Sequence, residues 1–71
     1  MSSATTEHER IRKARERVSL TQGELAEALG SGQPHVCRWE RNTHPRPQRI
    51  RQIAEVLGVS VAWLATGEGK P

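Results

Sequence analysis

Apolar positions in this chain recur at helical spacing, and no stretch alternates as a strand would. Ile11, Ala14 and Val18 form one inward stripe, and Leu25, Ala26 and Leu29 a second. Val36 and Trp39, three apart, share a face of a third segment. Ile50, Ile53, Ala54 and Leu57 keep the i, i+3, i+4, i+7 spacing of one buried face. Leu64 closes the series. The pattern predicts an all-α, five-helix domain, with helices over residues 7–17, 22–29, 33–41, 47–57 and 61–65. Trp39 is assigned to the core because it shares its face with Val36. Trp63 stays open between core, surface and a contact between copies.

Local chemistry marks the helix ends. Thr6 with Glu9, and Thr21 with Glu24, have the spacing of capping boxes. Pro34 and Pro47 come early in their helices, where a missing N–H matters little. Ser60 can cap the last helix. Gly30 and Gly58 follow apolar stripes, where a left-handed residue ends a helix without steric cost. Asn42 is assigned the same role after the third helix. Lys13, Arg15 and Arg17 suit the negative end of the first. Residues 1–5 are expected to be disordered, 6–66 to form the folded domain and 67–71 to be a flexible tail.

The stretch Thr21 to Asn42, TQGELAEALGSGQPHVCRWERN, says most about function. Counting from Gln22, a small residue (Ala26) falls fifth, a glycine (Gly30) ninth and a β-branched residue (Val36) fifteenth. Ala26 lets the second helix cross closely over the first, Gly30 makes the bend, and Val36 seats the second helix on the core. Two helices joined in this way are a helix-turn-helix. The segments LTQGELAEALG, WERN and VLGVSVAWLATG, in that order, resemble the Cro/repressor (XRE-type) family of phage and bacterial DNA-binding domains. The likeness runs over roughly residues 8–68 and reaches the small repressor and Cro domains of lambdoid phages. It implies a lambda-repressor-like domain that regulates transcription, as a repressor. The expected complex is a homodimer on a pseudo-palindromic double-stranded DNA operator.

Composition narrows the alternatives. Seventy-one residues make one small domain. No apolar run approaches the ~20 residues that span a bilayer, and the first ten residues lack the apolar core of a signal peptide. One cysteine excludes an internal disulfide and fits a reducing cytoplasm, the expected location. Net charge is +3, and of eleven basic residues all but Lys70 lie in helix 1 or between Arg38 and Arg51. Such a stripe suits a polyanion, although many solvated faces are basic.

The third helix has the width to enter a major groove about 12 Å across. The resemblance makes Gln33 its base reader, and a glutamine amide matches adenine N6 and N7 as a donor–acceptor pair. Arg38 can grip guanine O6 and N7, or else a phosphate. His35 stands between them and can touch a base or a phosphate. Pro34 departs from the family, which has a polar reader there; it can offer only apolar contact, for example to a thymine methyl. By resemblance, Gln22 bonds a phosphate and braces Gln33, with Thr21 chiefly a cap. Arg41, Arg46 and Arg49 are read as phosphate clamps, and Gln48 as approaching the minor-groove edge. The resemblance further implies a partly buried salt bridge, Arg15–Glu40, and a dimer contact at Leu57, Gly58, Val59, Ser60 and Val61.

Other chemistry is poorly supported. His35 and Cys37, two apart on a helix, diverge by about 200°, and with His44 they lack a fourth metal ligand. No metal and no cofactor is expected. No nucleophile is grouped with a base and an orienting acid, and the chain has no aspartate, so an enzyme is not expected. The alternatives carried forward are a restriction–modification controller, an antitoxin DNA-binding protein, and a protein-interaction module.

Overall fold

The computed structural model describes residues 6–71. The predicted disorder of residues 1–5 lies outside them. Five helices follow in order: α1 (Glu7–Arg17), α2 (Gln22–Ala28), α3 (Gln33–Trp39), α4 (Pro47–Leu57) and α5 (Val61–Thr66). There is no strand among the described residues. α2 packs against α3, α1 against α4 and α5, and α4 against α5.

The starts of the helices follow their side chains. Thr6 and Thr21 each accept from the backbone N–H three residues on, and Glu9 and Glu24 each accept the N–H of the cap in return. Ser60 Oγ accepts from the Trp63 N–H. α3 starts differently, on Gly32, with no side-chain cap and Pro34 in its first turn.

Three helix ends share one device. In each, a left-handed residue lets the next N–H reach back to a carbonyl five residues earlier, a Schellman closure. The bonds are Leu20 to Arg15 (3.2 Å), Ser31 to Ala26 (2.8 Å) and Val59 to Ala54 (3.0 Å). Gly30 and Gly58 supply the left-handed residue in two of them, at φ +67° and +71°. Ser19, at φ +61°, supplies the third, where an L-residue bears a cost of roughly 1–2 kcal/mol. Asn42 is not left-handed, contrary to expectation. α3 ends at Trp39, earlier than predicted, and the N–H groups of Arg41, Asn42 and Thr43 all converge on the Arg38 carbonyl. With those donors satisfied in a turn, no left-handed residue is required.

The core is Ile11, Ala14, Leu25, Ala26, Val36, Trp39, Ile50, Ile53, Ala54, Leu57 and Leu64. Leu29 and Trp63 pack against it half-buried. Val18 was expected inside but is 43% exposed, because the chain has left the helix by that point and Leu20 turns in instead. Arg10 was not expected inside and is buried. Its Nε donates to the Leu64 carbonyl (3.0 Å) and its Nη2 to that of Ala65 (3.1 Å), which satisfies the end of α5. Gly67, at φ +83°, lies against this guanidinium; a Cβ there would stand 3.1 Å from Nη1. Residues 67–71 run back over α5, where Ser60 Oγ donates to the Lys70 carbonyl (2.8 Å).

Candidate nucleic-acid interface

α3 has one buried side, and that fixes the rest of its surface. Val36 and Trp39 point into the core. At about 100° per residue, Pro34 then stands directly opposite, with Cys37 and Arg38 on either side of it. Gln33 and His35 lie roughly a quarter turn away, on the two flanks. Gln33, Pro34, His35 and Arg38 are exposed, and Cys37 is half-buried. The structure therefore brings the predicted readers onto one outward surface, but its centre is the proline.

The flanks differ. Gln33 lies beside the start of α2, its Oε1 3.8 Å from the Cβ position of Gly23. His35 lies toward α4: its ring meets that of Trp39 (centroids 6.3 Å apart), and the Arg49 guanidinium is 5.6 Å from the same Trp39 ring. Arg41, Arg46 and Gln48 are exposed along the loop and the start of α4. Arg49 is half-buried and already engaged, with Nη1 donating to the Leu29 carbonyl (3.1 Å) and to Gln52 Oε1 (2.9 Å). It braces α4 on α2, and only its remaining N–H groups are open to a ligand. An open groove of about 490 Å³ runs between Trp39, Thr43, His44, Arg46 and Gln48.

Behind α3, Arg15 Nε donates to Glu40 Oε2 (2.6 Å) and Nη2 to Oε1 (3.0 Å). The two side chains are 11% and 3% exposed. Arg15 Nη1 also donates to the Leu20 carbonyl (2.8 Å). The hydrogen bond to Glu40 holds the Arg15 guanidinium above its ordinary pKa, against the opposing effect of burial. Glu40 Oε1 accepts from Gln22 Nε2 as well (3.1 Å). The Gln22 amide is thus turned toward Glu40, where the expectation had it bracing Gln33. Thr21, exposed, uses its hydroxyl as the α2 cap.

Sequence reasoning missed a second link from α1. Glu7 Oε1 accepts from His44 Nδ1 (2.6 Å), and His8 Nδ1 donates to the Trp39 carbonyl (2.8 Å). The His8 and His44 rings are 4.6 Å apart. Partners more than thirty residues apart leave no periodic signal in the sequence. At the α4–α5 corner, Leu57 is 3% exposed and belongs to the core, so it cannot present a dimer contact. Val61 (42%) and Val56 (36%) are exposed and Val59 is half-buried, but Val61 borders Pro47, Ile50 and Arg51 whereas Val59 borders Lys13, Arg17 and Trp63.

A helix-turn-helix family model matches residues 11–64. The chain belongs to the Cro/repressor helix-turn-helix family. The repressor protein CI of Enterobacteria phage phi80 is 38% identical over 63 residues, which cover 89% of this chain and 27% of that protein. The P22 c2 repressor, in a crystal structure with a synthetic operator, superposes with a TM-score of 0.85 at 26% identity, covering 92% of this chain and all of that one. The same architecture recurs in hydroxypropylphosphonic acid epoxidase from S. wedmorenis (TM-score 0.71, 29% identity), over 89% of this chain and 34% of the enzyme. The chain spans about a quarter of the length of the curated relatives it matches. Since one architecture accompanies both repressors and an enzyme, function has to be argued from the surface of α3. No helix among the described residues is long and apolar enough to cross a membrane.

Proposed function

We propose that this domain binds double-stranded DNA in a sequence-specific manner and serves a transcriptional repressor. The observation that carries this is the single surface on which α3 exposes Gln33, Pro34 and Arg38 beside Arg41 and Arg46. The exposed amide and guanidinium edges suit base edges, and the neighbouring cations suit phosphates. The protein acts as a homodimer on half-sites one helical turn apart, about 34–36 Å. Gly58, Val59, Ser60 and Val61 of the α4–α5 corner supply the contact between copies, with Val56 added and Leu57 removed. Two-fold pairing supplies much of the affinity, because one α3 touches only a few base pairs. Gln22 and Thr21 approach one phosphate strand, and Gln48 the minor-groove edge.

Selection from random oligonucleotides tests the reading. A two-fold symmetric consensus is expected, bound less tightly as salt rises and counterions are released. A pool that fails to enrich, with equally weak binding to every duplex, would favour a protein-interaction module. On the selected site, Arg38→Ala should cost about 1–3 kcal/mol and relax preference at one base position. Arg46→Ala should weaken all sites alike and lower the salt slope by about 1. Sedimentation with and without the site checks the dimer.

A further inference from the structure

Ser31 lies in the turn between α2 and α3 and has no part in the contacts assigned above. Its amide donates to the Ala26 carbonyl (2.8 Å), so the turn holds it in place. Its Oγ is 2.9 Å from Nδ1 of His35. His35 is exposed and occupies the α4 flank of α3, a quarter turn from the outward centre. When a helix sits in a major groove, its outward centre faces base edges and its flanks face the sugar–phosphate walls.

We propose that His35 holds a phosphate oxygen of the wall on the α4 side through Nε2–H, and that Ser31 is the positioning residue that fixes it for this contact. The proposal rests on the DNA-binding reading. A phosphate oxygen only accepts, so Nε2 must carry the hydrogen. In the neutral ring Nδ1 is then a bare acceptor, and its partner must donate. A serine hydroxyl can turn to do so.

The other two histidines supply the contrast. His8 Nδ1 faces the Trp39 carbonyl and His44 Nδ1 faces the Glu7 carboxylate. Both partners accept, so both rings place their hydrogen on Nδ1, and the neutral Nε2 can offer a phosphate nothing. Of the three histidines, His35 alone has a partner able to donate to Nδ1. It is also the one on the recognition helix.

Ring ¹⁵N–¹H spectra of the free protein test the first half. His35 should carry its hydrogen on Nε2, and His8 and His44 on Nδ1. Binding to the selected site and to a random duplex tests the second. Ser31→Ala and His35→Ala should each weaken both duplexes equally, by about threefold to tenfold. The double variant should lose no more than His35→Ala, and Ser31→Thr should restore binding. Melting temperatures should stay unchanged, since His35 is exposed and the Ser31 hydroxyl bonds only to it. A hydrogen on Nδ1 of His35, additive losses in the double variant, or a loss confined to one base pair would overturn the proposal. Wild-type protein that binds neither duplex, with the ring hydrogens as expected, would instead overturn the DNA-binding reading beneath it.

Discussion

Two ties leave α1, one for Glu40 at the C-cap of α3 and one for His44 in the loop beyond it, and they have the same length but not the same worth. Arg15 Nε meets Glu40 Oε2 at 2.6 Å, and Glu7 Oε1 meets His44 Nδ1 at 2.6 Å. The first pair is 11% and 3% exposed; in the second, the His44 side chain is 69% exposed. The buried carboxylate is met by a forked guanidinium and a glutamine amide, each oxygen in use. Water competes freely for the histidine. Distance alone would rank the ties as equal. Burial separates them, because a buried charge that loses its partner keeps its full desolvation cost.

The largest test removes the guanidinium. Arg15→Met leaves Glu40 buried with one neutral donor and should cost about 3–5 kcal/mol in urea unfolding. Adding Glu40→Leu should recover most of that loss, since a buried pair is nearly matched by apolar residues of similar volume. A double variant as unstable as the single would mean that Arg15 works through Leu20 rather than Glu40. Because Glu40 holds the Arg15 pKa up, the stability linked to the Arg15 proton is fully present below the ordinary guanidinium value and falls away as pH rises through the raised one. Next, Gln22→Ala removes one hydrogen bond to the carboxylate and should cost about 1–2 kcal/mol. An unchanged midpoint would place the whole work on Arg15. The smallest effect belongs to His44→Ala, below about 1 kcal/mol, because the histidine side chain is largely exposed. A loss as large as that of Arg15→Met would erase the contrast between the ties.

The helices were legible in the sequence because their causes are local. A threonine three residues before a glutamate, a proline in a first turn and a glycine after an apolar stripe act within one turn of chain. α1 and α4 match their predicted bounds for this reason. Two of the misses have a non-local cause. Arg10 is inside because α5 ends over it, more than fifty residues on. Gln22 turns to Glu40 because α1 has already brought Arg15 there. Leu57 differs: the resemblance implies a contact between copies there, yet its local i, i+4 relation to Ile53 puts it on the buried face of α4. The outward surface of α3 was legible in outline, since Val36 and Trp39 orient it. Pro34 is read there as an apolar contact, and that it stands at the centre follows from the 100° turn per residue once both Val36 and Trp39 are buried.

The grip of Arg10 on Leu64 and Ala65 decides where this domain can be cut. A fragment stopped ahead of α5 would remove the two carbonyls to which Arg10 Nε and Nη2 donate and take Leu64 out of the core. The first and last helices are therefore one structural unit, although they stand at opposite ends of the fold in chain order. Any shortened version for crystallography or fusion has to retain the backbone through Gly67.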